Sequence, residues 1–409
     1  MNVNPIVLSI PVFFLLIGIE VVIQQIQHRR LYRLNDALTN ISCGITQQVS
    51  GVFLKLFGIG LYTLVYEYLA VWAIPSNWLS LTILFVAVDF AYYWAHRMSH
   101  EINLFWSGHV VHHQSEEYNL SVALRQSSFQ VIWTSFFYFP LAIIGFNPID
   151  FALMAALTTL YQFWIHTKVI GKLGLLEYVL VTPSHHRVHH GRDPKYIDKN
   201  HGGTFIWWDM MFGTFQKEEE TPVYGITKPV NSWNPVWANF AHYQVMWNDL
   251  SHIKGFNDKL KYLFNKPGWL PESLGGYQSA PQVDKSQYEK YNTFSPRILN
   301  GYVVFQYLLV LAATSWFLFN QSSFSMPSKL LVASVIGAST VTIGALFEDK
   351  KWVILVERLR IIILVIGSVI YSMSSDIFQG VIFLATLYLL LSWIWLLVAT
   401  KNEIKTVQT

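Results

Sequence analysis

Residues 89–113 read DFAYYWAHRMSHEINLFWSGHVVHH, an apolar segment that ends in a run of imidazoles. His96 and His100 are four positions apart, so on a helix they lie on one face, a turn apart. His109, His112 and His113 repeat the spacings of three and four, and so do His186, His189 and His190 within SHHRVHH (184–190). His166 ends another apolar run. A single such pair is usually surface polarity or a satisfied core pair. Three clusters beside apolar segments read as metal ligation, because ionisable groups at a bilayer edge are costly to bury and mark functional sites.

Composition supports lipid as the main solvent. Of 409 residues, 53% are hydrophobic and 13% charged, against roughly 25% charged in a soluble domain. The mean hydropathy is +0.34. A net charge of +3 gives no argument for nucleic acid, and the basic residues stand at the ends of apolar runs. The lone Cys43 excludes an internal disulfide and a thiolate metal site. Thirteen of the 14 histidines lie between 96 and 252; only His28 stands outside.

Apolar stretches of membrane-crossing length predict an all-α, polytopic membrane protein of about eight or nine helices. They run from Pro5 to Ile23, then over 46–68, 78–95, 130–146, 149–166, 299–319, 329–347, 359–374 and 377–399. Asn147-Pro148 predicts a tight turn between the fourth and fifth. Arg29, Arg30 and Arg33 place the first loop in the cytoplasm; Lys168, Lys172, Lys350, Lys351, Arg358 and Arg360 then fall on the same side. All the histidine clusters share it. The linker near 271–297 divides a catalytic region, 1–295, from a histidine-free helical bundle, 299–409.

His96, His100, His109, His112, His113, His166, His186, His189 and His190 exceed the needs of one tetrahedral site and suit two ions. Imidazole accepts several transition metals. Two iron ions are favoured, because oxidising a lipid C–H bond with dioxygen needs redox chemistry, which zinc lacks. Neither GxGxxG nor a P-loop is present, so reducing power must come from a diffusible cofactor or a partner.

The order His-x3-His, His-x2-His-His, His-x2-His-His resembles the fatty acid hydroxylase and sterol desaturase superfamily of membrane di-iron oxygenases. The segments 96–126, YQFWIHT (161–167), TPSHHRVHHG (182–191) and 197–215 are similar to its alkylglycerol monooxygenase branch, strongly over about 1–250. That resemblance implies hydroxylation of the ether-bonded carbon of alkylglycerols with dioxygen and tetrahydrobiopterin. The alternative is a sterol or fatty-acyl hydroxylase or desaturase fed by a ferredoxin- or cytochrome-type donor. A metal transporter fits less well, since its ligands would lie mid-bilayer, and a zinc protease would need HExxH, which is absent.

Around the clusters, Glu101 belongs to the family motif and is expected to be the catalytic carboxylate. Asp89, seven residues before His96, is expected to orient it, and Glu117, with Glu116 as rival, is expected beside His113. Asn119 and Arg125 match the branch pattern, Arg125 as partner of a substrate, pterin or lipid phosphate. Asp209 is expected to be structural. His185 points about 100° from His186 on a helix and so serves a neighbour, a ligand or substrate. NHGG (200–203) departs from the branch, which has an aromatic where His201 stands; His201 is expected beside the site but not as a ligand. His242 and His252 are expected at the membrane interface.

Overall fold

The computed structural model describes residues 5–373 and 378–406. Among these residues the regular structure is helical, with only two isolated bridges, Leu180 to Phe205 and Gly191 to Tyr224. The chain forms two compact units: Met1–Asn231 with Val236–Tyr291, and Ser232–Pro235 with Asn292–Thr409.

The first unit opens with helix α1 (Pro5–Ile26), whose Leu8, Val12, Leu15, Ile19, Val22 and Ile26 form an exposed apolar stripe. Glu20 turns inward and accepts hydrogen bonds from the Tyr32 and Thr167 hydroxyls and from Leu120 N–H. The single run expected over 46–68 is broken. Helix α2 (Leu34–Gly51) and helix α3 (Leu61–Leu69) belong to a pair of segments bent by 63°. Gly51, Gly58 and Gly60 weaken helix propensity through the break.

Helix α4 (Trp78–Glu101) is started by a reciprocal cap: the Asn77 side chain accepts from Leu79 and Ser80 N–H, and Ser80 Oγ accepts from Asn77 N–H. Its end carries His96 and His100. One extended residue, Ile102, separates it from α5 (Asn103–His113). Helices α6 (Gln130–Thr134), α7 (Phe139–Ile144) and α8 (Pro148–Tyr161) follow. The expected turn is present, with Asn147 capping α8 through Ile149 and Asp150 N–H. Yet α8 has 14 residues, about 21 Å, short of a hydrocarbon core of about 30 Å. Tyr62, Leu84, Val88, Leu141, Phe151 and Met154 join α3, α4, α7 and α8 in one apolar core. The polar region then forms α9 (Pro183–His189), α10 (Trp207–Met211), α11 (Pro235–His252) and α12 (Phe256–Phe264).

The second unit contains α13 (Arg297–Asn320), α14 (Met326–Phe347), α15 (Val353–Ser372) and α16 (Phe378–Thr406). The expected runs 359–374 and 377–399 touch 374–377, which lie outside the described residues. Arg360 is no loop cation. It is buried on α15, bonded to Glu357 and Gln306, while Tyr302 donates to Glu357 and Tyr388 to Gln306. Burial of an ion pair requires such added partners.

Among the described residues, five helical segments are long and apolar enough to cross a membrane: Leu8–Ile26, Trp78–Glu101, Arg297–Ser323, Met326–Phe347 and Gln379–Ala399. The bent pair makes up to six. Helix α15 falls short because Glu357, Arg358 and Arg360 interrupt it.

Gly145 ends α7 at φ +115°, and a Cβ there would meet the Trp72 carbonyl oxygen at 1.9 Å. Gly145→Ala should therefore destabilise the fold by about 1–3 kcal/mol. Gly18→Ala, in open space on α1, should stay within about 1 kcal/mol of the parent. Thermal unfolding in detergent measures both, and equal midpoints for the two variants would contradict the account.

Candidate metal centre

Nine imidazoles from four parts of the first unit converge in two buried groups. His96, His100, His109, His113 and His189 form one; His112, His166, His186 and His190 form the other. Within each group, one nitrogen per residue lies within 4.8 Å of all the others. Helical geometry explains the division. Neighbouring residues point about 100° apart, so His112 and His113 face different groups, as do His189 and His190. The sequence clusters are thus redistributed: His109 keeps His113 but not His112, and His186 keeps His190 but not His189.

Backbone carbonyls orient the rings. His112 Nδ1 lies 3.0 Å from Arg125 O and His166 Nδ1 lies 2.7 Å from Gln162 O. A carbonyl only accepts, so each Nδ1 carries the hydrogen and each Nε2 is a bare acceptor. Those two Nε2 atoms face each other at 3.2 Å, where no hydrogen bond can form without a further proton. His96 is fixed likewise by His201 O (2.8 Å) and His189 by Lys199 O (2.9 Å). His96 Nε2 and His113 Nε2 lie 3.0 and 3.1 Å from His109 Nε2. Lone pairs converging at this distance are the spacing of adjacent ligands on one ion, about 3.0–3.4 Å for metal–nitrogen bonds near 2.1 Å. His100 Nε2, His189 Nε2 and His190 Nε2 are buried with no hydrogen-bond partner. The donor set therefore fits two transition-metal ions, and neither group contains a carboxylate.

Burial also keeps these rings neutral, as ligation requires. It lowers His112 to about 4, and His109, His113, His166, His186, His189 and His190 well below the ordinary histidine value.

A short turn that no side-chain pattern announces does much of the positioning. Over Asp198–His201 the chain presents the Asp198 carboxylate 3.8 Å from His100 Nδ1, then the Lys199 carbonyl to His189 and the His201 carbonyl to His96. Asp198 and Asn200 both have φ +56°, a left-handed conformation that Asp and Asn tolerate. Asn200 ties the turn down by donating to the His185 and Gln216 carbonyls. Asp209 accepts from His201 N–H (2.7 Å) and Gly202 N–H (2.8 Å).

The other residues expected around the clusters stand outside both groups. Glu101 pairs with Arg97 at 3.0 Å, one turn back on α4, and joins neither group. Asp89 accepts from Thr204 N–H, Phe205 N–H and Trp208 Nε1, so it braces the loop behind the site and touches no imidazole. Glu117 is held between Arg33 and Lys290, and Glu116 by Tyr288 and Tyr291 N–H. Asn119 donates to Leu31 O and accepts from Ser121. Arg125 is buried, donating to Val111 O, Asn40 and Gln114. His185 accepts from Thr182 N–H at 3.4 Å and caps its own helix. His242 bonds Asn103, and the exposed His252 bonds Asn248 O.

Two outcomes follow. Asp209→Ala should release the His201 carbonyl and lower metal retention at the five-histidine group first, so that metal per chain falls from about two toward one. Equal loss from both groups would contradict this assignment. In the metal-free protein, His112 falls from its ordinary 6.5 to about 4 on folding. Its stabilising contribution is complete above pH 6.5 and is lost as pH falls toward 4. The thermal midpoint of chelator-treated protein should decline across that window; a flat profile would speak against neutral buried rings.

The fatty acid hydroxylase family model matches residues 81–214, which contain all nine histidines. Curated relatives named alkylglycerol monooxygenase are similar over most of the chain. The Homo sapiens protein is 39% identical over 357 residues, 86% of this chain and 79% of its own. Those of Xenopus tropicalis and Danio rerio are 36% and 35% identical over 89% and 87% of this chain, and 82% and 80% of their own. A match of that extent is longer than 1–295 alone, so the likeness runs into the C-terminal region, further than motifs indicate. No solved structure matches. The chain belongs to the alkylglycerol monooxygenase family and is an oxidoreductase.

Proposed function

We propose that this protein hydroxylates the ether-bonded carbon of alkylglycerol-type lipids, using dioxygen, two iron ions held by the nine histidines, and a tetrahydropterin reductant. The observation that carries the reading is the pair of all-imidazole groups whose carbonyl-fixed rings turn bare nitrogens toward one another. It sits in a chain similar over most of its length to alkylglycerol monooxygenases.

Iron, when bound, supplies the redox chemistry that activates dioxygen toward an unactivated C–H bond. The chain's own residues do the rest. His96, His100, His109, His113 and His189 would hold one ion, and His112, His166, His186 and His190 the other. The Arg125, Gln162, Lys199 and His201 carbonyls hold the Nδ1 protons and fix ring orientation. Burial of all nine rings keeps bulk water from the reacting centre. In the net reaction one oxygen atom enters the C–H bond beside the ether oxygen. The other leaves as water, with two electrons and two protons from the pterin. The hemiacetal then separates into an aldehyde and a glycerol derivative.

We assign catalysis to 1–295 and packing or anchoring to the 299–409 bundle. Basic residues at Arg29, Arg30, Arg33, Lys168 and Lys172 support a cytoplasmic site, reached by lipid sliding from the bilayer. A count of eight or nine crossings would need α15 and the short apolar helices to cross as well.

Purified protein in nanodiscs, given an alkylglycerol, should form aldehyde only when tetrahydropterin is added, and should contain about two irons per chain. His166→Ala should abolish turnover and lower the iron content. Aldehyde formation sustained by a ferredoxin and not by pterin, or iron near one per chain, would sink this reading.

A further inference from the structure

His201 uses its backbone fully, whereas its side chain has little among the protein's atoms. Its N–H is taken by Asp209 and its carbonyl by His96. Its ring is fully buried, and the Asp198 backbone approaches it, but neither Nδ1 nor Nε2 makes a hydrogen bond of normal geometry. A neutral imidazole always presents one donor and one acceptor. Leaving such groups buried and unpaired costs about 1–3 kcal/mol each, and native proteins seldom do so.

What surrounds the ring limits what can satisfy it. Its centroid lies 5.0 Å from His100, 5.5 Å from His96 and 5.6 Å from His189, within the range separating members of the five-histidine group. His96 and His189 have committed their Nδ1 atoms to the Asp198–His201 turn, and His100 Nδ1 faces Asp198. Tyr93, 6.4 Å away, bonds Thr214 and Arg97. The Asp198 backbone can serve one ring nitrogen, and what is left for the other lies inside the site. His201 is nevertheless not one of the five converging donors, so it stands one layer out.

We infer that His201 is the polar wall of the five-histidine site, and that its imidazole hydrogen-bonds a small exchangeable ligand there: water, hydroxide or a small anion. The inference rests on the proposal that this group holds a metal ion. Asp89 and Asp209, both buried, brace the loop that carries His201, which fixes the ring where such a ligand would sit.

Azide binding to the iron-loaded full-length protein tests it, read by the absorbance of the azide complex and by electron paramagnetic resonance, with iron content measured first. His201→Phe keeps the ring volume and removes the hydrogen bond. It should bind azide roughly tenfold more weakly with iron content unchanged, the loss expected for one hydrogen bond to a charged ligand. His201→Gln, which retains a donor, should recover most of the affinity, and its unfolding midpoint controls for folding. Unchanged azide affinity in His201→Phe would overturn the inference. So would loss of one iron with tighter azide binding, since His201 would then be a direct ligand. Parent protein that holds no iron at all would instead remove the metal-site reading on which this one stands.

Discussion

The hydrogen bond from an imidazole Nδ1–H to a backbone carbonyl is the interaction on which the site depends. It occurs at His96, His112, His166 and His189. Each one settles which nitrogen holds the proton, and so makes the other a donor toward the centre of its group. Without it, a buried histidine could turn or change tautomer, and adjacent rings would pair with one another as ordinary hydrogen-bonded neighbours. With it, the four bare Nε2 atoms cannot satisfy each other. Such a convergence of lone pairs suits a metal ion and not an ordinary polar core.

That requirement reaches outward into the fold. The carbonyls must be aimed, and all four belong to irregular backbone or a helix end. Arg125 aims its own carbonyl at His112 while its side chain grips Val111 O, Asn40 and Gln114, joining α2 to the histidine segment. Asp89 and Asp209 do the same for the 201–205 loop. Glu20, on the inner side of an otherwise lipid-like helix, ties α1 to Thr167 next to His166. Charges that look like catalytic candidates are largely holding backbone in place.

This explains what could be read from the sequence and what could not. Spacings of three and four picked out eight of the nine histidines of the two groups, and His166 was marked only by its place at the end of an apolar run. The division between groups was less visible: periodicity joins His109 to both His112 and His113, and only the direction of each ring separates them. The partners of the carboxylates were less legible for a related reason. Glu101 adjoins His100 in sequence, but its helix position turns it toward Arg97. Asp198 is far from His100 along the chain and becomes its neighbour through a left-handed turn. Carbonyl acceptors have no residue-type signature, so the Lys199 and His201 contributions were invisible. The single run over 46–68 failed because glycines allow a bend that hydropathy does not register.

The two groups are unequal, and their inequality has a structural origin. His112–His113 and His189–His190 are consecutive pairs, so each pair forms a shared wall with one ring on either side. Two covalent links of one residue therefore fix the distance between the groups, and neither can shift without moving the other. The five-histidine group is further enclosed by the 198–201 turn, whereas the four-histidine group is fixed by Arg125 and by the helix-end carbonyl of Gln162. A site with more donors and a rigid frame has fewer positions to offer an incoming ligand; the less crowded group has more. Exchange of small ligands should therefore differ between them, with the His201 wall governing the crowded side. One chain thus sets two chemically different positions at a fixed separation using imidazoles alone.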